Sequence, residues 1–172
     1  RLITAYDQPA LGCVYKLVSI EDENGVMVDT MKISNNAEKV STPGKKQVWR
    51  ITRNSDGKSE GDYIALWDER PDQLDELFMF HPVYTYINKT VKDFTARPIL
   101  QPIFENGKRV YELPTLQEIK KYKDEQIEAL WDEYKRILNP EQYPVDLSQK
   151  TYDQKLASIA EIREEVRLKS EQ

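Results

Sequence analysis

The sequence has 172 residues, of which 39% are hydrophobic and 32% are charged, and its formal net charge is −5. This balance is typical of a folded domain and excludes a wholly disordered chain, while the acidic charge disfavours binding of nucleic acid. Cys13 is the only cysteine, which excludes a disulfide framework or a thiolate metal cluster, and no apolar run approaches the roughly 18 residues that cross a bilayer. We therefore expect a cytoplasmic chain with no membrane partner.

The first part of the chain predicts two β-hairpins. Residues 12–20 and 26–34 are rich in Val, Tyr, Leu and Ile, and they flank Asn24-Gly25, a dipeptide typical of tight hairpin turns. Residues 46–53 alternate apolar and polar side chains, and the turn after them leads into a second apolar run at residues 63–67. We expect antiparallel pairing in both hairpins.

Two further β segments are predicted before the pattern changes. Residues 78–86 are aromatic and β-branched, but Pro82 inside them indicates either an edge strand or an early end to the strand. Residues 99–104 and 109–111 flank Asn106-Gly107, which predicts a last hairpin. Residues 1–112 are therefore predicted to form an antiparallel β-rich segment.

From Pro114 the hydrophobic period changes from two residues to about 3.6, which predicts a helix. Thr115 and Glu118 match the capping box that begins a helix, and Asn139-Pro140 is expected to end it, because proline restricts the residue before it.

A second helix is predicted over residues 149–169, antiparallel to the first and capped by Asp146 or Ser148. Residues 113–172 are thus predicted to be a C-terminal two-helix segment. The predicted fold class is α+β, with an antiparallel β-rich unit followed by two helices.

Residues 39–53 are the most basic segment of the chain. The cations there are Lys39, Lys45, Lys46, Arg50 and Arg53, and hydroxyl groups and a glycine lie among them. Lysines and backbone N–H groups near a glycine suit phosphate oxygens, so the segment is a candidate phosphate-binding strap. The alternative is a solvated edge strand, which composition alone favours.

Two lysines of the first hairpin interrupt an apolar pattern. Lys16 shares a strand face with Val14 and Val18, and Lys32 lies between Met31 and Ile33. An unpaired ammonium group is costly to bury. Each lysine must therefore reach solvent, pair with an acid or line a polar cavity.

His81 is the only histidine, and no nearby residue in the sequence pairs with it as a catalytic or metal-binding partner. We interpret it as a structural or surface histidine. The sequence contains no motif of a P-loop, a dinucleotide-binding fold or a zinc site. No catalytic residue and no metal ligand is therefore assigned.

Four segments resemble nicotinate phosphoribosyltransferases, in the order in which that family has them. They read PALGCVYKLV (residues 9–18), KISNNAEKVSTPGKK (32–46), PIFENGKRVYELPTLQEI (102–119) and YPVDLS (143–148). The first is similar to the stretch that follows the family's glycine-rich phosphate loop, and the second to its lysine strap. The last two resemble the form found in Gram-positive bacteria.

The resemblance implies an enzyme of NAD biosynthesis by the salvage pathway, a glycosyltransferase and ligase that acts as a homodimer. Such an enzyme joins nicotinate to phosphoribosyl pyrophosphate, releases nicotinate mononucleotide and pyrophosphate, and couples the reaction to hydrolysis of ATP with Mg. The implied fold is that of type II phosphoribosyltransferases, an irregular α/β barrel with a β-rich part. Lys16, Lys32 and Lys39 resemble lysines that approach phosphates in related enzymes, and they are the candidate phosphate-binding residues.

The sequence begins at Arg1 without Met, and we expect it to be the C-terminal part of a longer enzyme. The family's phosphohistidine and phosphate loop would precede Arg1, since His81 does not match the phosphohistidine motif. The chain alone is therefore expected to bind no cofactor and to be inactive. The alternative is an accessory structural or dimerisation domain that contacts no ligand.

Overall fold

The computed structural model describes residues 14–36 and 39–170. The chain divides into two compact units, Arg1–Gly44 and Lys45–Gln172, which are called unit 1 and unit 2 below. The division between residues 112 and 113 that the sequence suggested stays a prediction.

Unit 1 contains a short antiparallel hairpin with strands β1, Ser19–Glu21, and β2, Met27–Asp29. The carboxylate of Asp22 accepts hydrogen bonds from the backbone N–H groups of Asn24 and Val26, at 2.9 and 2.8 Å. These two bonds lower the pKa of Asp22 and fix the turn.

The hairpin at Asn24-Gly25 is confirmed, and Gly25 has a φ of +78°, which glycine adopts without strain. The strands are shorter than predicted, because beyond β2 the backbone bonds to the strap: Lys32 and Ser41 are joined by two hydrogen bonds. Residues 12 and 13 of the first predicted strand lie outside the described residues.

Unit 2 contains a six-stranded mixed sheet and a separate small hairpin. The strands of the sheet are β3 (Lys46–Arg53), β4 (Ser59–Leu66), β5 (Glu76–Phe80), β6 (Asn88–Lys92), β7 (Phe94–Pro98) and β10 (Val145–Leu147). The hairpin consists of β8 (Phe104–Glu105) and β9 (Lys108–Arg109). In space the order of the sheet is β6-β5-β10-β4-β3-β7, and only the β10–β4 pair is parallel.

One face of the sheet forms the core of unit 2, because alternate residues of a strand point to the same side. On β3, Trp49 and Ile51 are buried, whereas Arg50 between them belongs to the opposite face. The buried apolar cluster on this face draws on five strands: Trp49, Ile51, Tyr63, Ala65, Leu77, Met79, Val91 and Ala96. Each large side chain among them contributes about 1.5–3 kcal/mol relative to exposure.

The predicted β3–β4 hairpin is confirmed, with the predicted bounds for β3 and a start at Ser59 for β4. Strand β5 ends at Phe80, before Pro82, which confirms an early end to that strand. The edge position is wrong, because β5 lies between β6 and β10.

Three strands of the sheet have no counterpart in the sequence-based prediction. A bend at Asp93, with a φ of +51°, joins β6 to β7, which pair with β5 and β3 at opposite ends of the strand order. Strand β10 follows the first helix and pairs in parallel with β4, so the sheet is not wholly antiparallel. The α+β class, with a β-rich part and two C-terminal helices, is confirmed.

Helix α1, Leu116–Glu128, begins as predicted with both hydrogen bonds of the Thr115–Glu118 capping box. It ends at Glu128 and not near Asn139, because β4 binds its last carbonyls. The backbone N–H of Ser59 donates to the carbonyl of Ala129 at 2.8 Å, and the ammonium of Lys58 donates to that of Glu128 at 2.7 Å.

Helix α2, Gln149–Ser170, packs on β4. Ser148 is its cap, since its Oγ accepts the N–H of Thr151 at 3.0 Å and donates to the Glu69 carboxylate at 2.7 Å. Asp146, the other predicted cap, lies in β10. Among the residues described, no helix is long and apolar enough to span a membrane.

Candidate functional site

The three candidate phosphate-binding lysines lie in unit 1 and are exposed. Within residues 14–36 and 39–170, none of Lys16, Lys32 and Lys39 forms an ion pair.

Backbone hydrogen bonds join the segments that carry Lys16, Lys32 and Lys39. The carbonyl of Val18 accepts the N–H groups of Thr30 at 3.1 Å and of Gly44 at 2.8 Å. The N–H of Lys32 donates to Ser41 Oγ at 2.7 Å, and the N–H of Ser41 donates to the carbonyl of Lys32 at 3.2 Å. The Ser41 hydroxyl thus lies beside Lys32.

The antiparallel pairing of the hairpin ends before Lys32. Ser19 pairs with Asp29, and the hydrogen bond from Thr30 to Val18 continues this register one residue outward. At Lys32 the backbone N–H and carbonyl bond to Ser41 instead.

The arginines of the predicted strap, and Lys45, are bound within unit 2. Lys45 Nζ lies 4.1 Å from the ring centroid of Trp67. Arg53 pairs with Asp56 at 2.5 Å and lies over the ring of Trp131. The interpretation of residues 39–53 as a phosphate-binding strap stays a prediction. The segment crosses from unit 1 into unit 2 after Gly44, and its two arginines are paired with acids of unit 2.

The exposed face of the sheet in unit 2 carries a charged centre that sequence reasoning missed. Arg50 donates a bidentate pair of hydrogen bonds to the Asp62 carboxylate, at 2.9 and 3.1 Å, and a third hydrogen bond to the Gln126 amide oxygen at 3.0 Å. The side chains of Arg50 and Asp62 are only 22% and 13% exposed. The hydrogen bond to Asp62 raises the pKa of Arg50, so the guanidinium stays charged.

Tyr143 completes this charged centre. Its hydroxyl donates to Asp62 at 3.1 Å and lies 2.6 Å from Ser59 Oγ. Burial, together with the negative charge of Asp62, raises the pKa of Tyr143 to about 12. The tyrosine is therefore neutral at physiological pH and holds the segment before β10 against β4.

A cavity of 610 Å³ opens between α1 and the charged centre. Its wall includes Tyr122, Ile127, Leu130 and Tyr134. A volume of this size is within the range of small-molecule sites. However, each hydrogen-bonding atom that Arg50 directs toward α1 already has a partner, so the charged centre stabilises the fold and presents no free cation.

His81 has a structural function. Its Nδ1 accepts the backbone N–H groups of Val83 and Tyr84 at 3.1 and 3.0 Å, and its ring stacks on that of Tyr84. The described part of the chain contains no group of three or more His, Cys, Asp or Glu residues that could hold a metal ion.

Comparison with known proteins identifies the class of unit 2 first. Residues 45–155 match the family model described as "Nicotinate phosphoribosyltransferase C-terminal domain". The match begins at the residue where unit 2 begins.

Relatives with longer sequences match more of the chain than the family model does. The chain is 52% identical to nicotinate phosphoribosyltransferase of Bacillus subtilis over 166 residues, which cover 96% of the chain and 34% of that enzyme. It is 33% identical to the Caenorhabditis elegans enzyme over 88% of the chain and 26% of the relative. The crystal structure of human nicotinic acid phosphoribosyltransferase is similar with a TM-score of 0.58 and 26% identity, over 64% of this chain and 22% of that one.

The chain therefore belongs to the nicotinate phosphoribosyltransferase family, as its sequence indicated. It spans about a third or less of the length of these relatives.

Proposed function

We propose that this chain is the C-terminal part of a nicotinate phosphoribosyltransferase, which forms nicotinate mononucleotide and pyrophosphate from nicotinate and phosphoribosyl pyrophosphate with coupled hydrolysis of ATP. The proposal extends the family membership to the reaction for which the relatives are named. Cytoplasmic location, action as a homodimer and the use of Mg with ATP belong to the same proposal. No step is assigned to Mg here, since the described residues offer no cluster of metal ligands.

Within that enzyme, unit 1 contributes cations to a phosphate site. The observation that carries this assignment is the exposure of Lys16, Lys32 and Lys39 without an ion pair among the described residues. The hydrogen bonds between Lys32 and Ser41 support it, because they add a hydroxyl group beside an ammonium group. Fixed cations stabilise the charge that develops on departing pyrophosphate.

Unit 2 has a different function in this proposal, since two partly buried cations of its sheet are paired with acids of the unit. Arg50 is bound to Asp62, and Lys89 to Glu60 at 3.0 Å. Unit 2 is therefore an accessory structural domain, which is the alternative that the sequence left open for the whole chain. The chain by itself is expected to make no nicotinate mononucleotide.

The test replaces Lys16, Lys32 and Lys39 singly by Met in the full-length parent enzyme. Methionine keeps the apolar stem and removes the charge. Loss of a charged hydrogen bond to phosphate should lower kcat/KM for phosphoribosyl pyrophosphate or ATP about tenfold to a hundredfold. The KM for nicotinate should change less.

Lys92→Met in unit 2 is the matched control, because Lys92 is exposed, pairs with Glu76 and lies outside the basic segment. Its kcat/KM should stay within about a factor of two of the parent value. If the variants at Lys16, Lys32 and Lys39 behave like this control and keep normal thermal stability, unit 1 has no phosphate site.

A further inference from the structure

Residues 100–125, called the arm below, are folded but almost unburied. Every residue of the arm is exposed except Tyr111, which is partly buried. The arm contains the β8–β9 hairpin and nearly all of α1, and α1 has no buried residue. A helix of about this length is marginal in water unless an apolar face packs against something.

The large apolar side chains of the arm are largely exposed to solvent. Phe104 is 66% exposed, Leu113 69% and Leu116 76%. Five others are also exposed: Leu100, Ile103, Val110, Ile119 and Tyr122. Eight exposed large apolar side chains within one folded segment are typical of an interaction surface.

The arm is attached to the sheet mainly through one end. Gln126, just beyond it, accepts hydrogen bonds from Arg50 and Arg97, and the last carbonyls of α1 bind Lys58 and Ser59. Strands β8 and β9 pair only with each other among the described strands. A second cavity of 610 Å³, lined in part by Ile103, Ile119 and Tyr122, separates the arm from Arg97.

The arm has no net charge, and this indicates which kind of partner it can bind. Five basic residues (Lys108, Arg109, Lys120, Lys121, Lys123) are balanced by five acidic ones (Glu105, Glu112, Glu118, Asp124, Glu125). A neutral surface gives no electrostatic attraction to nucleic acid or to an anionic membrane. It matches a polypeptide surface with an apolar centre.

We infer that the arm docks on the part of the parent enzyme that lies outside this chain, an inference that rests on the proposed function. The matched region covers only 34% of the Bacillus subtilis relative, so most of that enzyme is available as a docking surface.

The inference is tested by comparing one substitution in two settings, the 172-residue chain and the full-length parent enzyme. Leu116→Asp places a carboxylate in the first turn of α1, where the helix dipole tolerates it. The thermal midpoint of the chain alone should change by less than about 1 °C, because Leu116 is exposed there. The midpoint of the parent enzyme should fall by about 5 °C or more.

Leu116→Ala is a milder second variant for a parent enzyme that fails to fold with aspartate, and a fall of about 2 °C is expected. Val166→Lys is the control, since Val166 is 62% exposed but lies in α2. Its midpoint should be unchanged in both settings.

Three results would overturn the inference. The parent enzyme could tolerate both Leu116 variants, the chain alone could lose as much stability as the parent, or light scattering could show that the chain alone dimerises until Leu116→Asp is introduced. The last result would make a second copy of this chain the occupant. Failure of the proposed phosphate site would appear separately, in the kinetics of the lysine variants.

Discussion

Unit 1 and unit 2 share one basic segment but use its cations differently. In unit 1, Lys32 and Lys39 are exposed and form no ion pair within the described residues. In unit 2, Arg50 and Arg53 are bound to Asp62 and Asp56. A basic run in sequence therefore does not by itself identify a ligand site, because the fold determines which cations form ion pairs within the protein.

The largest effect is expected from Arg50→Met, which would leave Asp62 half-buried without its cation. Removal of one partner from such a pair should lower the free energy of unfolding by about 3 kcal/mol, measured by urea denaturation. Arg70→Met is the control, because its pair with Asp72 is exposed and its removal should leave the midpoint unchanged.

The double variant Arg50→Met/Asp62→Leu shows whether the stability lost in Arg50→Met comes from the unpaired Asp62 carboxylate. It removes both charges, so it should recover much of the lost stability. A fully stable Arg50→Met single variant would mean that the charged centre does not stabilise unit 2.

A smaller effect is expected from Gly61→Ala, at the point where β4 meets the segment before β10. Gly61 has a φ of +136°, and an added Cβ would lie 2.9 Å from Pro144 Cγ and 3.0 Å from its carbonyl oxygen. We expect a loss of about 2 kcal/mol in the free energy of unfolding. Gly57→Ala is the control, with a φ of +71° but no atom within 4 Å, and it should cost only about 1 kcal/mol. Equal losses would show that the contact with Pro144 is unimportant.

The smallest effect concerns pH. Burial raises the pKa of Asp146, although the positive charge of Lys89 opposes the rise. A carboxyl with a raised pKa stabilises the fold while it is protonated, and this stability is lost as the pH rises through the folded-state pKa. The stability of Asp146→Asn relative to the natural chain should therefore increase from about pH 3.5 to pH 7 in urea denaturation.

Asp22→Asn should show the opposite trend. Hydrogen bonds lower the pKa of Asp22, so its contribution is present at neutral pH and lost as the pH falls. Parallel pH profiles for the two variants would contradict the signs assigned to these carboxyls.

Local signals in the sequence predicted the elements whose causes are local. The Asn-Gly turns and the Thr115–Glu118 capping box depend only on neighbouring residues, and both appear where expected. The end of α1 could not be predicted, because its carbonyls are bound by Lys58 and Ser59, which are distant in sequence. Strand β10 likewise could not be predicted, because it forms by pairing with β4 and β5, which are distant in sequence.

The charged centre of unit 2 was partly foreseeable. The alternation of β3 assigns Arg50 to the polar face, but nothing local connects it to Asp62, which precedes the predicted start of β4, or to Tyr143. The family resemblance was visible because it depends on ordered sequence segments and not on packing. The function of each strap lysine depends on a ligand, so it remains a prediction.

The central claim is that the lysines of unit 1, and not those of unit 2, approach phosphate in the parent enzyme. Its most direct test is acetylation of that enzyme with and without phosphoribosyl pyrophosphate, with each lysine quantified by mass spectrometry. At a ligand concentration ten times Kd, labelling of Lys16, Lys32 and Lys39 should slow by about tenfold. Labelling of Lys92 and Lys121, whose side chains are 71% and 78% exposed in unit 2, should not change. Equal labelling of the unit 1 lysines with and without bound ligand would contradict the claim.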